Sequence, residues 1–496
     1  MSNWTFFPIA ITFLGFALTL LVTSKPKLQK LVSIGIASCY LSFGLYLLSQ
    51  GSNILPMSLQ VADWRAPFGI TLRIDYLSAI LLTVTGIVYL CVTVYSNLGD
   101  NAESSALYFP LIHIIIAGIS GAFSTQDLFN LYVWFEVILL SSFVALGMVQ
   151  NKSRLSGAFK YIVLNILSSM IFLLAAGLIY NVTHTLNFEL LSSHLEQLQA
   201  SHPSYVLALN ITIFIAFAIK AGLFPFFFWL PASYHHISPA ISGLFAGLLT
   251  KVGLYAMFRV NFMVFPADTY IETIAMALSS LSILIGVAGA IVQTNIRRIL
   301  SFHIISQVGY IGLAGSFLLS ENPVIRSLGF SAALFYMVHH IIVKANLFLV
   351  SGLLASYAGS ERLAKLGGIM PVKPLLAFLF AVPALSLAGI PPMSGFWAKF
   401  TVFKTTLTGD YFLLTFVMVV GGFFTVYSMT KIWLAAFWGK PPEPSPQGVV
   451  RVSAIVGCSL LSLSTLVISL HPDLLYGHVQ EAVNHLMSGV ANGKGF

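Results

Sequence analysis

Long apolar runs recur along the whole chain, separated by short polar stretches that hold most of the charges. A run of about 18 or more apolar residues is long enough to cross a ~30 Å hydrocarbon core as a helix. Fourteen such runs are predicted near 3–23, 30–49, 74–96, 106–122, 127–149, 156–180, 206–228, 233–260, 270–293, 300–320, 326–356, 372–402, 410–438 and 452–470. The roughly ten-residue alternation of a membrane barrel is missing from these runs. Backbone in lipid must satisfy its own hydrogen bonds, so continuous apolar runs predict helices. The pattern therefore predicts an all-α polytopic membrane protein of about fourteen transmembrane helices.

Composition supports the pattern: 57% of the 496 residues are hydrophobic and 8% are charged, with a mean hydropathy of +0.90. Soluble domains carry about 25% charged residues, so a water-soluble fold is excluded. The first run follows Ser2, Asn3 and Trp4 and has no basic leader or small-residue cleavage site after it. It reads as a retained helix rather than a signal peptide. The three cysteines, Cys39, Cys91 and Cys458, lie far apart inside spans and suggest neither a disulfide framework nor a metal site.

The net charge of +8 reports topology rather than nucleic-acid binding, because the basic residues form no stripe. Thirteen of the 24 lysines and arginines fall on odd-numbered loops, and six, Arg259 among them, on even loops and the C-terminal tail. The positive-inside rule then puts the odd loops in the cytoplasm and both chain ends outside. Five lysines remain within spans: Lys220, Lys251, Lys344, Lys399 and Lys431.

A charge at mid-membrane costs about 2.5–3.5 kcal/mol on insertion scales, so such residues need partners, internal water or a function. Lys431 lies close enough to the end of its span to snorkel. Lys220, Lys251 and Lys344 are central, and Lys399 lies nearer the outer end of its helix. Glu136, in Leu131-Tyr132-Val133-Trp134-Phe135-Glu136-Val137, is the one acid well inside a span. Lys220 is its natural partner, either as a static pair or as a titrating switch. His340 and Lys344 share a helix face at four-residue spacing and suit proton relay. His339 and His303 are accessory candidates.

Two segments share a pattern. Ile219-Lys220-Ala221-Gly222-Leu223-Phe224-Pro225 runs on to Trp229, and Ala388-Gly389-Ile390-Pro391-Pro392 runs on to Phe396-Trp397-Ala398-Lys399. The two Ala-Gly pairs are 167 residues and five predicted helices apart. An odd number of helices per unit inverts the second copy, as in many secondary transporters, and proline-broken helices at matching places mark their transport route. Packing kinks are the plainer reading of the prolines, and the lysine beside each break argues against it.

These motifs, in this order, resemble the antiporter-like subunits shared by Mrp-type multisubunit Na⁺/H⁺ antiporters and the membrane arm of respiratory complex I. The resemblance covers nearly the whole chain. It rests on Glu136, Lys220, Lys251 in Leu249-Thr250-Lys251-Val252-Gly253, Arg297-Arg298-Ile299-Leu300 through Gly309-Tyr310, His340 with Lys344, and Gly395-Phe396-Trp397-Ala398-Lys399-Phe400. It implies fourteen helices with two inverted five-helix repeats and breaks in helices 7 and 12. The expected division is 1–105, an N-terminal three-helix segment; 106–265 and 266–440, the two repeats; and 441–496, a C-terminal helix and tail. It also implies a proton route, with Glu136 and Lys220 as switching pair, Lys251 as central carrier, His340 and Lys344 continuing, and Lys399 terminal. His235 and His236 would stand near the cytoplasmic entrance, where Ala232 replaces the aspartate of many complex I relatives. Phe68-Gly69-Ile70-Thr71 running into Asp75, and Ala436-Phe437-Trp438-Gly439, are most similar to the D-type subunits of Mrp systems.

The expected function is proton translocation within a multisubunit cation/proton antiporter of the cell membrane, as a secondary transporter subunit rather than an enzyme. The expected partners are the other subunits, H⁺ and Na⁺, and no cofactor or metal is implied. A proton-pumping subunit of a redox-driven complex is the alternative, and a structural scaffold is a third. With no evident all-oxygen sodium site, sodium is expected to cross at another subunit or an interface.

Overall fold

The computed structural model describes residues 2–96, 105–148, 152–235, 237–441 and 448–491. The helices are α1 (Phe7–Leu21), α2 (Pro26–Gln50), α3 (Tyr76–Tyr95), α4 (Tyr108–Ser124), α5 (Leu128–Gly147), α6 (Lys152–Thr183) and α7 (Phe188–Ser201). They continue with α8 (Pro203–Ala221), α9 (Trp229–Ser233), α10 (Pro239–Arg259), α11 (Thr269–Val292), α12 (Ile296–Ser316) and α13 (Pro323–Ala358). The last are α14 (Ile369–Val372), α15 (Pro374–Ala388), α16 (Ser394–Thr408), α17 (Phe412–Trp433), α18 (Val452–Leu470) and α19 (Pro472–Ala491). Among the described residues, twelve helices are long and apolar enough to cross a membrane, and α4 and α15 are shorter apolar helices. The chain is a polytopic α-helical membrane protein.

Polar residues at the run ends start these helices. Asp75, Asp127, Ser238, Asp268, Asn295 and Asn322 each accept a backbone N–H from the first turn of the helix that follows. Pro239 and Pro323 follow their caps at the position where a missing N–H costs nothing.

Burial separates centre from rim. Helix α10 is buried almost throughout, whereas α1, α2 and α17 present leucine and phenylalanine outward. The central helix α10 packs along α13 and α8, and α13 in turn packs on α12, α16 and α18.

Three elements differ from the sequence expectation. A two-stranded antiparallel ladder, β1 (Met57–Gln60) with β2 (Thr71–Ile74), pairs Met57 with Ile74 and Gln60 with Thr71, a small departure from an all-helical chain. Helix α7 buries Phe188, Leu191 and Leu195 on one face and is otherwise polar, so hydropathy alone does not mark it. Helix α19 occupies the stretch expected to be a tail. Two predicted spans are interrupted where the sequence places breaks: 206–228 ends as α8 at Ala221, and 372–402 divides into α15 and α16.

Candidate functional site

The two breaks are built alike. Gly222 (φ 73°) ends α8 and Gly389 (φ 83°) ends α15, both in the left-handed region that glycine enters without steric cost. Each break leaves carbonyls outside the helical ladder. After α8, Trp229 Nε1 donates to Ile219 O (3.0 Å) and Phe224 N donates to Ser282 Oγ (2.8 Å). After α15, Lys399 Nζ donates to Leu387 O (3.1 Å) and Ala388 O (2.8 Å).

Lys220, in the last turn of α8, is buried at 5% exposure. Its ammonium donates to Ser169 Oγ (3.1 Å) on α6 and lies 4.6 Å from the centre of the Phe135 ring. Glu136, next to Phe135 on α5, is within electrostatic reach of Lys220. The two form no direct salt bridge, and Glu136 Oε1 is buried without a hydrogen-bond partner. The expected pair is therefore placed together but separated. A cavity of 20 Å³, lined by Lys220, Asn165, Tyr161 and Trp229 among others, adjoins it and has room for about one water.

Helix α10 carries Lys251 against this region. A side chain at Gly253 would collide with the backbone of Lys220 and Ala221, with a Cβ only 2.6 Å from Ala221 N, so glycine is what lets α10 approach α8. Lys251 is fully buried, and its Nζ donates to Ala246 O (2.6 Å).

His340 of α13 is fully buried, and neither ring nitrogen has a hydrogen-bond partner. A buried polar group without a partner is costly and rare. Lys251 on α10, Lys344 and His339 on α13, and His303 on α12 all lie within electrostatic reach of this ring. Lys344 Nζ donates to Leu300 O (3.0 Å) on α12. His303 Nε2 is 2.6 Å from Ser428 Oγ on α17, and its Nδ1 has no partner. Lys399 is within reach of both His339 and His303, and its Nζ lies 5.7 Å from the centre of the Tyr310 ring.

The structure thus gathers Lys251, His303, His339, His340 and Lys344 into one buried group with half-buried Lys399 at its edge, and leaves Glu136 with Lys220 as a second group beside it. His235 is half-buried in the turn before α10, and His236 is outside the described residues. Lys431 reaches the end of α11, donating to Ile291 O (2.8 Å) and Gln293 O (2.9 Å), as a lysine near a span end does. Among the described residues no cluster of three His, Cys, Asp or Glu could hold a metal ion.

Several polar residues of the site carried no sequence signal. Ser394 Oγ lies 2.9 Å from His339 Nδ1 and 2.7 Å from Ser386 Oγ, so two hydroxyls extend the histidine into the second break. Tyr336 OH donates to Gln307 Oε1 (2.6 Å), and its ring stacks on Tyr310. Serines are scattered through most spans, and spacing does not single these out. Only Ser394, beside the double proline, carries a local hint.

One placement is corrected. Arg259, assigned to a loop, is buried in the last turn of α10, where it forms a salt bridge with Asp75 and its Nε donates to Tyr255 OH (3.1 Å). Burial raises the pKa of the Asp75 carboxyl, but the charge and hydrogen bond of Arg259, helped by the Ser78 N–H and Arg73, outweigh it and hold it below its ordinary value. The pair ties the start of α3 to the helix that carries Lys251.

Residues 125–425 match the family described as NADH:quinone oxidoreductase/Mrp antiporter, transmembrane. The chain is 35% identical over 464 residues to the D subunit of the Na⁺/H⁺ antiporter of Alkalihalophilus pseudofirmus, covering 92% of this chain and 91% of that one. It is 32% identical over 492 residues to the D subunit of the Na⁺/H⁺ antiporter of Bacillus subtilis, covering 98% of each. Its fold is similar to a chain in the structure of the Mrp complex from Dietzia sp., with a TM-score of 0.91, 29% identity and coverage of 100% and 99%. A chain of respiratory complex I from Thermus thermophilus shares the fold at a TM-score of 0.74 and 22% identity, over 95% and 98% of the two chains.

Proposed function

Because the chain belongs to the NADH:quinone oxidoreductase/Mrp antiporter family, as a D-type subunit of a multisubunit cation/proton antiporter, we propose that it carries protons along its buried lysines and histidines. The observation that carries this reading is His340, a buried imidazole with both nitrogens unpartnered and lysines from two helices within reach. A neutral imidazole can accept a proton on one nitrogen and release one from the other. A serine or amide in that place could not change charge.

In this reading Glu136 and Lys220 form the switch. The carboxylate attracts the ammonium, and loss of that attraction frees Lys220 to pass its proton towards Lys251. From Lys251 the proton goes to His340, then by Lys344 or His303 to Lys399. His339 extends the terminal end through Ser394, and His235 and His236 serve the entrance. Each step exchanges one N–H proton between neighbouring groups and makes or breaks no other covalent bond, as suits a transporter subunit rather than an enzyme. Relatives that are D subunits of Na⁺/H⁺ antiporters make sodium the proposed counter-ion and other antiporter subunits the partners. A route lined by lysines and histidines repels a sodium ion while relaying protons, so sodium crosses elsewhere in the assembly.

The same reading takes 106–265 and 266–440 as inverted five-helix units between the flanking segments 1–105 and 441–496. Support comes from the break that recurs with the same left-handed glycine 167 residues later. The lysine and arginine bias supports placing both termini outside.

The test uses the complete complex in vesicles, with a pH-sensitive dye reporting Na⁺-driven proton flux. His340→Ala is expected to assemble normally and lose most of the flux. An assembled His340→Ala complex with normal flux would overturn the route.

A further inference from the structure

A cavity of 450 Å³ lies between α13, α16 and α19. Phe335, Trp397, Phe400 and Tyr476 supply its aromatic wall, and Lys404 and Asp473 line the same space. Lys404 is one turn from the end of α16, and Asp473 is in the first turn of α19, just after α18 has ended at Leu470. These helix ends, with tryptophan and tyrosine beside them, put the cavity at the level of lipid headgroups. Phe400 is 47% exposed, so the apolar side opens toward acyl chains. Both charged residues are exposed, and neither forms an ion pair among the described residues.

We propose that this cavity holds a phospholipid with a zwitterionic, primary-amine headgroup of the phosphatidylethanolamine class. Lys404 attracts the phosphate, and Asp473 attracts the ammonium and accepts its N–H. A purely anionic headgroup would meet Lys404 favourably but be repelled by Asp473. A choline headgroup would be attracted by Asp473 but has no N–H to donate. The aromatic wall takes the first part of one acyl chain. The site borders the second break: Trp397 Nε1 donates to Ser469 O (3.2 Å), and Ser469 Oγ accepts from Ser394 N (2.8 Å), beside the hydroxyl that meets His339. The proposal is independent of the proton route, since it concerns a ligand and not a transported ion.

The complete complex, purified in detergent, is titrated with phosphatidylethanolamine, phosphatidylcholine and phosphatidylglycerol, and bound lipid is read by native mass spectrometry, which also reports that the subunits remain together. Phosphatidylethanolamine is expected to be retained on the order of tenfold more tightly than either other lipid, about one decade in Kd. Lys404→Gln and Asp473→Asn should each abolish that preference. Exchanging the charges, Lys404→Asp with Asp473→Lys, should restore it, because the zwitterion can lie the other way round. Equal retention of the three lipids, tighter retention of phosphatidylglycerol, or a preference unchanged in the variants would overturn the proposal. So would crosslinking of a Thr401→Cys side chain, in the wall of the same cavity, to a partner subunit with no lipid retained, which would assign the cavity to protein.

Discussion

The two broken helices solve one problem in different ways. At the first break the lysine precedes the glycine, sits in the last turn of α8, and depends on side chains: Ser169, the Phe135 ring and Glu136 on other helices. At the second the lysine follows the break on α16 and reaches back to carbonyls that the break itself released. A charged partner on another helix makes the first site sensitive to what happens on α5. At the second break the direct acceptors are backbone carbonyls, which do not titrate, so the hydrogen bonds that hold Lys399 do not depend on a partner's charge. The first arrangement suits a switch and the second a terminus.

The largest effect that would test this contrast is at the first break. Glu136→Gln and Lys220→Ala should each lower Na⁺-driven proton flux by about 10²-fold or more, the scale associated with a positioned proton-transfer group. The double variant should be no worse than the worse single one, since residues acting as a unit are not additive. Fully additive losses in the assembled complex would show that the two residues do not act together.

At the second break the acceptors are carbonyls, so the replacement must be a donor. Lys399→Ala and Lys399→Glu are both expected to cut flux severely, because an ionised glutamate cannot donate to Leu387 O and Ala388 O. Near-normal flux with Lys399→Glu would mean that any titratable group suffices and that the carbonyl contacts are incidental.

A smaller effect is expected at Ser394. Ser394→Ala removes the hydroxyl between His339 and Ser386 but leaves the Ser394 N to Ser469 Oγ bond intact. Flux should fall several-fold, with Ser394→Thr recovering most of it and assembly unchanged. Failure of threonine to rescue would reduce this serine to a packing role. The smallest effect belongs to Lys431, which caps the end of α11: Lys431→Ala should leave flux within about twofold, on the same vesicle assay. Loss of flux there as large as at Lys399 would undo the ranking of the buried lysines.

The helical membrane class was legible from the sequence because lipid imposes a one-dimensional rule: apolar length and polar ends set where a helix can run. Lys220, Lys251, Lys344, Lys399 and Glu136 stood out for the same reason, since each is a local violation of that rule. Both breaks were also visible, as a glycine followed by proline in an otherwise continuous apolar run. Helix α7 and the short β ladder were not, because their short and partly polar stretches carry no such length signal. Arg259, at the edge of its predicted span, was counted with a loop, since Asp75, the partner that pairs with it, lies 184 residues away and only folding brings it near. The separation of Glu136 from Lys220, the hydroxyls on His339 and the unpartnered ring of His340 depend on how helices distant in sequence pack. The contacts that the close approach of α8 and α10 at Gly253 creates are properties of the packed bundle. The chain alone determined which residues are expensive in a membrane, and the tertiary structure decided which of them meet, because cost is local to a helix whereas compensation comes from its neighbours.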